Sequence, residues 1–224
     1  MPFNKDFGPL NLAMVHRYCR ELNKLLKSPD YQGKAVVYHY TKATNDNVKL
    51  TNSAFLVGAY MIISLKLSAR QAYERLAPYH GLLRNYRDAS KGECYYACTV
   101  EHCLQGLEFG IRQGWYDPAT FSVKEYEHYE KVENGDLNWI IPGKFMAFMG
   151  PVDRVPGERA YGHSASSYVN IFNHLKVGKV VRLNDPKYDK SAFTKNNIDH
   201  EDLIFMDGSV PPEDIVERFV RGCE

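Results

Sequence analysis

The stretch EYEHYEKVENGDLNWIIPGKF, residues 125–145, separates two parts of the chain whose sequence patterns differ. It carries five carboxylates within its first twelve residues, and the dipeptide Asn134-Gly135 is typical of a turn. The apolar run that follows predicts the start of a strand. We interpret the stretch as a junction between two domains and as a candidate binding surface.

The first part of this junction is predicted to be a helix. Ser122 and Glu125 have the spacing of a capping box, which places the first helical turn near Val123. Two tyrosines and two glutamates, Glu127 and Glu130, then recur one turn apart, so the helix has an aromatic side and an acidic side. A carboxylate-rich helix is most often a solvated face, and spacing alone does not make it a site.

The part before the junction is predicted to be mainly helical. The predicted elements are a helix that starts at Gly8-Pro9, a strand over 35–40, and helices over 51–67, 68–77 and 99–113. Ser68 and Gln71 have the spacing of a capping box for the helix over 68–77. Gly114 is expected to end the helix over 99–113, whose apolar stripe is Val100, Cys103, Leu104, Leu107 and Ile111. The first helix has an apolar stripe of Leu10, Met14, Tyr18, Leu22 and Leu25. The helix over 51–67 is apolar on nearly all sides, which predicts that it forms the centre of the first domain.

After the junction, strands alternate with helices. The predicted elements are a strand over 145–150, a helix over 164–175 closed by Gly178, a strand over 179–184, a strand and loop over 202–208, and a last helix that begins with two prolines. This order indicates an α/β domain with a parallel sheet between helices. Ligands bind such sheets at the carboxyl ends of strands, where Asp207 is expected, although an aspartate before glycine is most often only a turn former.

Composition excludes several general functions. The 224 residues allow one large or two modest domains, and we favour two. With 28 basic and 27 acidic residues, the chain has no overall attraction to nucleic acid or to an anionic membrane. The longest apolar run, residues 54–65, is too short to cross a bilayer, and the N-terminus lacks the plan of a secretory signal. Recognition of a charged partner must therefore be local.

The five cysteines are odd in number and lack the spacing of a disulfide scaffold. They predict free thiols in a reducing compartment, which would be the cytoplasm, the nucleus or both. His102-Cys103 imitates the start of a cysteine-phosphatase loop, but the arginine required six positions later is replaced by Phe109. The other cysteines lack that arginine too, and Cys103 lies on an apolar helical stripe, so a buried thiol is favoured.

Metal and cofactor chemistry find little support in the sequence. Cys94, Cys98, His102 and Cys103 are the best zinc candidates, but their spacings miss those of structural zinc sites. The chain has no glycine-rich phosphate loop, HExxH helix or GxSxG elbow. We therefore expect neither a metal nor an organic cofactor.

Six segments resemble, in the right order and over nearly the whole chain, the cell-division-cycle-fourteen family of dual-specificity protein phosphatases. They are DFGPLNLAMVHRYC, RDAS, TFSVKEYEHYE, the junction itself, VVRLN, and the closing DG with PP and IVERF. The resemblance implies an α/β fold of two tandem phosphatase-like domains. A non-catalytic domain over 1–121 would be joined by a linker helix and joint over 122–141 to the start of the catalytic domain over 142–224.

The resemblance also implies roles for individual residues. Asp207 matches the general acid that protonates the leaving serine, threonine or tyrosine oxygen. Glu127, Glu130 and Asp136 match an acidic groove that receives a basic residue a few places after a phosphoserine-proline pair. The implied partners are phosphoproteins, in particular cyclin-dependent-kinase substrates with such sites, and the implied reaction uses neither metal nor cofactor.

One departure from the family leaves two functions open. The family signature, histidine-cysteine followed by five residues and an arginine, is expected shortly after the helix that ends at Cys223-Glu224, and the sequence ends there. We therefore expect a truncated second domain and a chain that is inactive alone. It is either part of a phosphatase that works through a cysteinyl-phosphate intermediate, or a non-catalytic module that binds or scaffolds phosphoproteins.

Overall fold

The computed structural model describes residues 7–34, 47–87, 93–94, 96–153, 162–207 and 209–223. The chain divides into two compact units, Met1–Val123 and Lys124–Glu224. The described residues form a mixed α/β protein that is mostly helical and has small sheets. The strand predicted over 35–40 lies outside these residues.

The described part of the first unit is helical. Its α-helices are α1 (Leu12–Lys27), α2 (Val48–Ile63), α3 (Ala69–Glu74) and α4 (Val100–Arg112), and short 3-10 helices cover Pro29–Tyr31 and Ala77–Leu82. Helix α2 contacts the other three, and ten of its sixteen residues are buried, which confirms that it is the centre of this unit. It ends earlier than predicted because Lys66 adopts a left-handed conformation, with φ of 58°, that lets the Leu67 amide bond the Met61 carbonyl.

Helix α1 differs from its prediction in start and in buried face. It begins at Leu12 rather than Gly8, since the Asn11 side chain accepts a hydrogen bond from the Met14 amide at 3.0 Å and caps the helix. Met14, placed on the predicted apolar stripe, is 50% exposed. The fully buried positions are Ala13, Val15 and Cys19. Their small side chains allow α1 to approach α2 closely.

The ends of the two remaining helices are set by local sequence. Ser68 and Gln71 form the expected capping box of α3. Thr99 and His102 form a capping box at the start of α4 that was not predicted, and Gly114, with φ of 71°, follows the end of α4 as predicted. Val100, Leu104 and Leu107 are the buried residues of α4, as the predicted stripe requires.

The second unit carries the strands. Its elements are α5 (Val123–Tyr129), which begins at the unit boundary, β1 (Leu137–Ile141), β2 (Phe145–Phe148), α6 (Ala165–Leu175), β3 (Lys179–Arg182), α7 (Ser191–Thr194), β4 (Asp199–Asp202) and α8 (Glu213–Arg221). Strands β1 and β2 form an antiparallel hairpin, and β3 and β4 form a parallel pair. Helix α6 is closed by Lys176 in the left-handed conformation rather than by Gly178.

Two strand predictions need correction. The strand over 145–150 does not join a parallel sheet, because the turn at residues 142–144 folds it back on β1. The strand over 202–208 is instead formed by the polar residues 199–202, and within the described residues the sheets contain two strands each. Polar residues suit β4 because their charged side chains pair with cations on β3 and α8.

An aromatic core holds the second unit together. Phe172 lies 5.4 Å from Tyr168 and 5.7 Å from Phe193 between ring centroids, and all three side chains are buried. Leu137 of β1 and Val180 of β3 join the same cluster, so each strand pair packs on this core. Across the described part of the chain, every helix is too short or too polar to span a membrane.

Candidate functional site

The acidic part of the junction folds as a short helix followed by a tight reversal. Helix α5 ends at Tyr129, and residues 132–134 form one 3-10 turn. The side-chain amide of Asn134 donates to the carbonyl of His128 at 2.8 Å, so it satisfies a free carbonyl near the end of α5. The Lys131 carbonyl accepts the amides of Asn134 and Asp136 at 2.9 and 3.0 Å. The reversal is therefore closed by its own backbone.

Gly135 is required by this reversal. Its φ of 116° lies in the region that side chains disfavour, and Asp136 follows with φ of 47°. A Cβ atom at Gly135 would lie 2.9 Å from Leu137 Cδ2 and 3.3 Å from atoms of Ile171 and Tyr168. The turn predicted at Asn134-Gly135 is confirmed, and close packing adds a second reason for the glycine.

Two side chains fix the reversal to the second unit. The buried Tyr168 hydroxyl lies 2.8 Å from the carbonyl oxygen of Gly135 and 3.0 Å from that of Met149. The His163 imidazole donates through Nε2 to the Val132 carbonyl at 2.6 Å. Burial raises the pKa of Tyr168 to about 12, and the nearby charge of Asp136 acts in the same direction. The phenol therefore stays protonated and able to donate.

The three predicted groove residues lie on this anchored segment. Glu127 is on α5, Glu130 directly follows it, and Asp136 comes after the reversal; all three side chains are half-buried. Partial burial strengthens the pull of a carboxylate on a cation, because fewer waters screen it. The segment could therefore hold a lysine or arginine side chain, although the role of these residues as a substrate groove stays a prediction.

Asp207 lies in an exposed loop between β4 and α8. It does not end a strand, since β4 stops at Asp202. The first residues of this loop are nevertheless held by hydrogen bonds to β3 and to the residue that follows it. The amides of Leu203 and Phe205 bond the carbonyls of Arg182 and Leu183 at 3.0 and 3.3 Å. Beyond Asp207, the Ser209 amide bonds the Met206 carbonyl at 3.1 Å, so Asp207 is inside a turn and its carboxylate is open to solvent.

A buried charged cluster that the sequence analysis missed lies just before this loop. Arg182 Nε donates to Asp202 Oδ1 at 2.7 Å, and Nη1 donates to the carbonyl of Tyr188 at 2.9 Å. The same guanidinium lies over the Tyr188 ring, 4.7 Å from its centroid. The Tyr188 hydroxyl is 2.7 Å from His200 Nε2, and Lys190 Nζ is 3.5 Å from Asp202 Oδ2. The sequence does contain one sign of this cluster, because Arg182 interrupts the otherwise apolar stretch VVRL at residues 180–183.

The protonation of this cluster follows from burial and charge. Burial alone would raise the pKa of Asp202, but hydrogen bonding to Arg182 and the Arg182 charge outweigh it and lower that pKa. Burial lowers the pKa of His200, while the charge of Asp202 opposes the shift. At neutral pH the cluster therefore holds an ionised carboxylate and a neutral imidazole. The buried part of the cluster, Arg182 and Tyr188, has a structural role, whereas Lys190 at its edge is exposed.

The neighbouring residue Glu201 connects β4 to α8. It pairs with Lys179 at 2.7 Å and with Arg218 at 3.5 Å, and Arg218 also donates to the Asp202 carbonyl at 3.2 Å. The loop that carries Asp207 is thus fixed at both ends. One end is bonded to β3, and the other continues into a helix that is joined to β4.

Two cysteines of the first unit have buried or half-buried thiols with raised pKa values. Burial raises the pKa values of Cys19 and Cys103 to about 12, so both remain protonated thiols at neutral pH. Cys103 packs against the core of the first unit, as predicted. The zinc candidate His102 instead uses Nδ1 to accept the Thr99 amide at 3.3 Å. In the described residues we find no group of three or more ligands arranged for a metal.

Comparisons with known proteins agree with the resemblance seen in the sequence. A family model described as "Dual specificity protein phosphatase, N-terminal half" matches residues 1–110. Human dual specificity protein phosphatase CDC14A is 48% identical over 228 residues, which cover 99% of this chain and 37% of that protein.

More distant relatives align over the same length. The tyrosine-protein phosphatase cdc-14 of Caenorhabditis elegans is 40% identical over 224 residues, covering 98% of this chain and 32% of the relative. Tyrosine-protein phosphatase CDC14 of Candida albicans is 32% identical over 227 residues, covering 100% and 41%. This chain thus spans 32–41% of the length of these three curated relatives. It belongs to the CDC14 family of dual-specificity protein phosphatases.

Proposed function

We propose that this chain provides the substrate surface and the general acid of a dual-specificity protein phosphatase. The observation that carries the proposal is the collinear similarity to CDC14 phosphatases over 98–100% of the chain. The matched length spans the acidic junction, and we propose that this junction and Asp207 have the roles that the family resemblance implies. The reaction would be hydrolysis of phosphoserine, phosphothreonine and phosphotyrosine through a cysteinyl-phosphate intermediate.

Asp207 is proposed to protonate the leaving oxygen. Its carboxylate is solvent-exposed in a turn, and the loop that carries it is bonded to β3 at its start and enters α8 at its end. A general acid needs access to the leaving group and a defined position, and this loop supports both. Attack of the thiolate breaks the bond between phosphorus and the ester oxygen, and that oxygen takes the proton of Asp207.

Glu127, Glu130 and Asp136 are proposed to recognise a basic side chain downstream of a phosphoserine-proline pair. Their half-buried carboxylates would attract lysine or arginine and repel acidic peptides. The phosphoproteins implied by this preference are cyclin-dependent-kinase substrates. The anchors at Tyr168 and His163 support the proposal, because a fixed surface loses less entropy when a peptide binds.

The division into tandem phosphatase-like domains belongs to the same proposal. In it, residues 1–121 form the non-catalytic domain, residues 122–141 the linker helix and joint, and residues 142–224 the start of the catalytic domain. The change from an all-helical described region to paired strands near the junction supports this division.

A second candidate is a non-catalytic module that binds phosphoproteins. The observation in its favour is that none of the five cysteines is followed six positions later by an arginine. Without that pair the 224 residues have neither an attacking thiolate nor a guanidinium to hold the phosphoryl oxygens. We therefore propose that residues 1–224 alone do not hydrolyse phosphate esters, whichever candidate is right.

A chimaera tests the role of Asp207. Residues 1–224 are joined to the part of human CDC14A that follows the matched segment, and kcat/KM is measured for phenyl phosphate and for p-nitrophenyl phosphate. Loss of a general acid costs about 10²–10⁴ in rate, so Asp207→Asn should show such a loss with phenyl phosphate. The loss should be smaller with p-nitrophenyl phosphate, whose leaving group needs less protonation.

The matched control is Asp185→Asn, which alters another exposed aspartate of the second unit. It should leave both rates unchanged. Equal losses for the two esters on Asp207→Asn would contradict a general-acid role. Turnover by residues 1–224 alone, or a phospho-adduct trapped on one of their thiols, would contradict the proposed inactivity.

A further inference from the structure

Cys98 and Cys103 form a close thiol pair in the first unit. Their sulfur atoms are 3.5 Å apart, which is van der Waals contact. Both cysteines are half-buried and pack against the core of this unit. The phosphatase mechanism uses neither of them.

The fold brings the two sulfurs together through the cap of α4. Thr99 is the N-cap, so Cys98 immediately precedes the cap and Cys103 is the fourth residue of the helix. Apolar residues at these two positions commonly pack together as a hydrophobic staple. Cys98 is also held from outside the helix, because its carbonyl accepts the Tyr86 amide at 2.7 Å in an isolated antiparallel bridge. Two independent constraints therefore fix the pair.

A staple made of two cysteines has chemistry that a staple of leucine or valine lacks. A disulfide requires the sulfurs to come within about 2.05 Å, so an approach of about 1.5 Å would close the bond. We propose that Cys98 and Cys103 are a reversible oxidation site, in which hydrogen peroxide converts the thiol staple into an intramolecular disulfide. In a reducing compartment the thiol form is the resting state, and the disulfide is a transient response.

The steps balance with peroxide as the oxidant. The Cys98 thiolate attacks one peroxide oxygen, the oxygen-oxygen bond breaks, and hydroxide leaves, which gives Cys98 sulfenic acid. The Cys103 sulfur then attacks the Cys98 sulfur, and its proton leaves with the sulfenic oxygen as water. Two electrons pass from the sulfurs to peroxide. Burial raises the pKa of Cys103 to about 12 and so disfavours its thiolate, and we therefore place Cys103 in the second step.

Disulfide formation would have a defined structural consequence. The bond would join the segment bridged to Tyr86 to the first turn of α4. Tyr86 is 1% exposed and its ring lies 5.0 Å from that of Phe7, so the bond would fasten α4 to the centre of the first unit. Oxidation of the site would then change the stability of the first unit. It would not involve the catalytic thiol of the proposed phosphatase.

The test uses the whole chain and does not depend on any variant. The reduced protein is treated with a small excess of hydrogen peroxide, alkylated without reduction and digested after glutamate. Cleavage after Glu101 separates Cys98 from Cys103, so mass spectrometry should find their two peptides joined, with the mass of two hydrogens lost. Dithiothreitol should restore both thiols. If both thiols stay alkylatable while the exposed Cys223 is oxidised, the proposal is wrong.

Three variants in a Cys223→Ser background assign the sulfurs. Cys103→Ser should leave a sulfenic acid on Cys98 that dimedone traps, whereas Cys98→Ser should give no adduct on Cys103. Cys94→Ser is the matched control and should leave the joined peptides unchanged, since Cys94 Sγ contacts the Tyr96 carbonyl at 3.0 Å instead. Loss of the joined peptides in Cys94→Ser would overturn the assignment to Cys98.

Discussion

Arg182 and Asp202 are register partners in the parallel pair of β3 and β4, and their side chains meet at 2.7 Å between Nε and Oδ1. The arginine side chain is only 9% exposed, whereas the aspartate is 31% exposed. A buried guanidinium is tolerated when its donors are satisfied, and the Tyr188 carbonyl accepts another of them. The pair therefore fixes the strand register immediately before the loop that carries Asp207.

Removal of the carboxylate should destabilise the second unit. Asp202→Ala leaves the buried Arg182 without its charged partner, and we expect a loss of about 2–3 kcal/mol in the free energy of unfolding. Urea unfolding followed by Trp139 fluorescence in a Trp115→Phe background reports this unit alone. Glu217→Ala, which breaks an exposed pair with Arg221 in the same unit, should cost less than about 0.5 kcal/mol. Equal costs would contradict the role assigned to the buried pair.

The stability of the second unit should fall as the pH drops below about 6.5, the pKa of histidine in an unfolded chain. Burial lowers the pKa of His200 in the folded protein, so over this range the unfolded chain binds more protons than the folded one. The loss continues until the pH passes the folded pKa. Of the charged neighbours, Asp202 opposes the shift, and Arg182 and Lys190 reinforce it.

Urea unfolding at a series of pH values checks this expectation. His200→Gln keeps an acceptor for the Tyr188 hydroxyl and should flatten the pH dependence. His174→Gln alters an exposed histidine of the same unit and should leave the dependence unchanged. A slope that persists in His200→Gln would assign the effect to other groups.

Local signals predicted the helices well. The capping box of Ser68 and Gln71, the stop at Gly114 and the turn at Gly135 are confirmed, because each depends on neighbours in sequence. The stripe on α1 was partly wrong, since Met14 has the right spacing but the approach of α2 selects smaller residues. Helical spacing says which residues share a face but not which face a partner covers.

The strands depended on information that a local pattern does not contain. Polar residues 199–202 form β4 because Lys179, Arg182 and Arg218 neutralise its carboxylates. The strand was predicted further along the chain because residues 203–206 are all apolar. The candidate site residues were predicted one by one. The cluster around Arg182 and Asp202, which precedes the Asp207 loop, was missed because its members meet only when β3 and β4 pair.

Gly135→Ala should destabilise the second unit more than Gly143→Ala. Both glycines have positive φ, 116° and 72°, so both variants carry a backbone cost of about 1 kcal/mol. Only at Gly135 would the new Cβ also meet Leu137 at 2.9 Å, whereas Gly143 has nothing within 4 Å. We expect a further loss of about 1–2 kcal/mol at Gly135, measured by the same Trp139 unfolding. Equal losses would show that the packing against Leu137 relaxes freely.

The acidic segment should bind a phosphopeptide with a downstream lysine more tightly than one with alanine at that place. Glu127→Gln and Glu130→Gln each remove a half-buried charge, and each should weaken the lysine peptide by roughly three- to tenfold, as expected for an interaction of about 1 kcal/mol. Their effect on the alanine peptide should be small. Fluorescence anisotropy with labelled phosphoserine-proline peptides measures both affinities.

Glu133→Gln is the matched control for this prediction. It removes a charge from the same segment at an exposed position, where water and salt screen the interaction, so both peptides should keep their affinities. The difference in affinity between the lysine and alanine peptides should also shrink as salt is added. The decrease should be smaller than for fully exposed carboxylates, because Glu127 and Glu130 are half-buried. Equal losses for the lysine and alanine peptides in Glu127→Gln and Glu130→Gln would mean that these carboxylates maintain the fold of the junction and do not select the substrate.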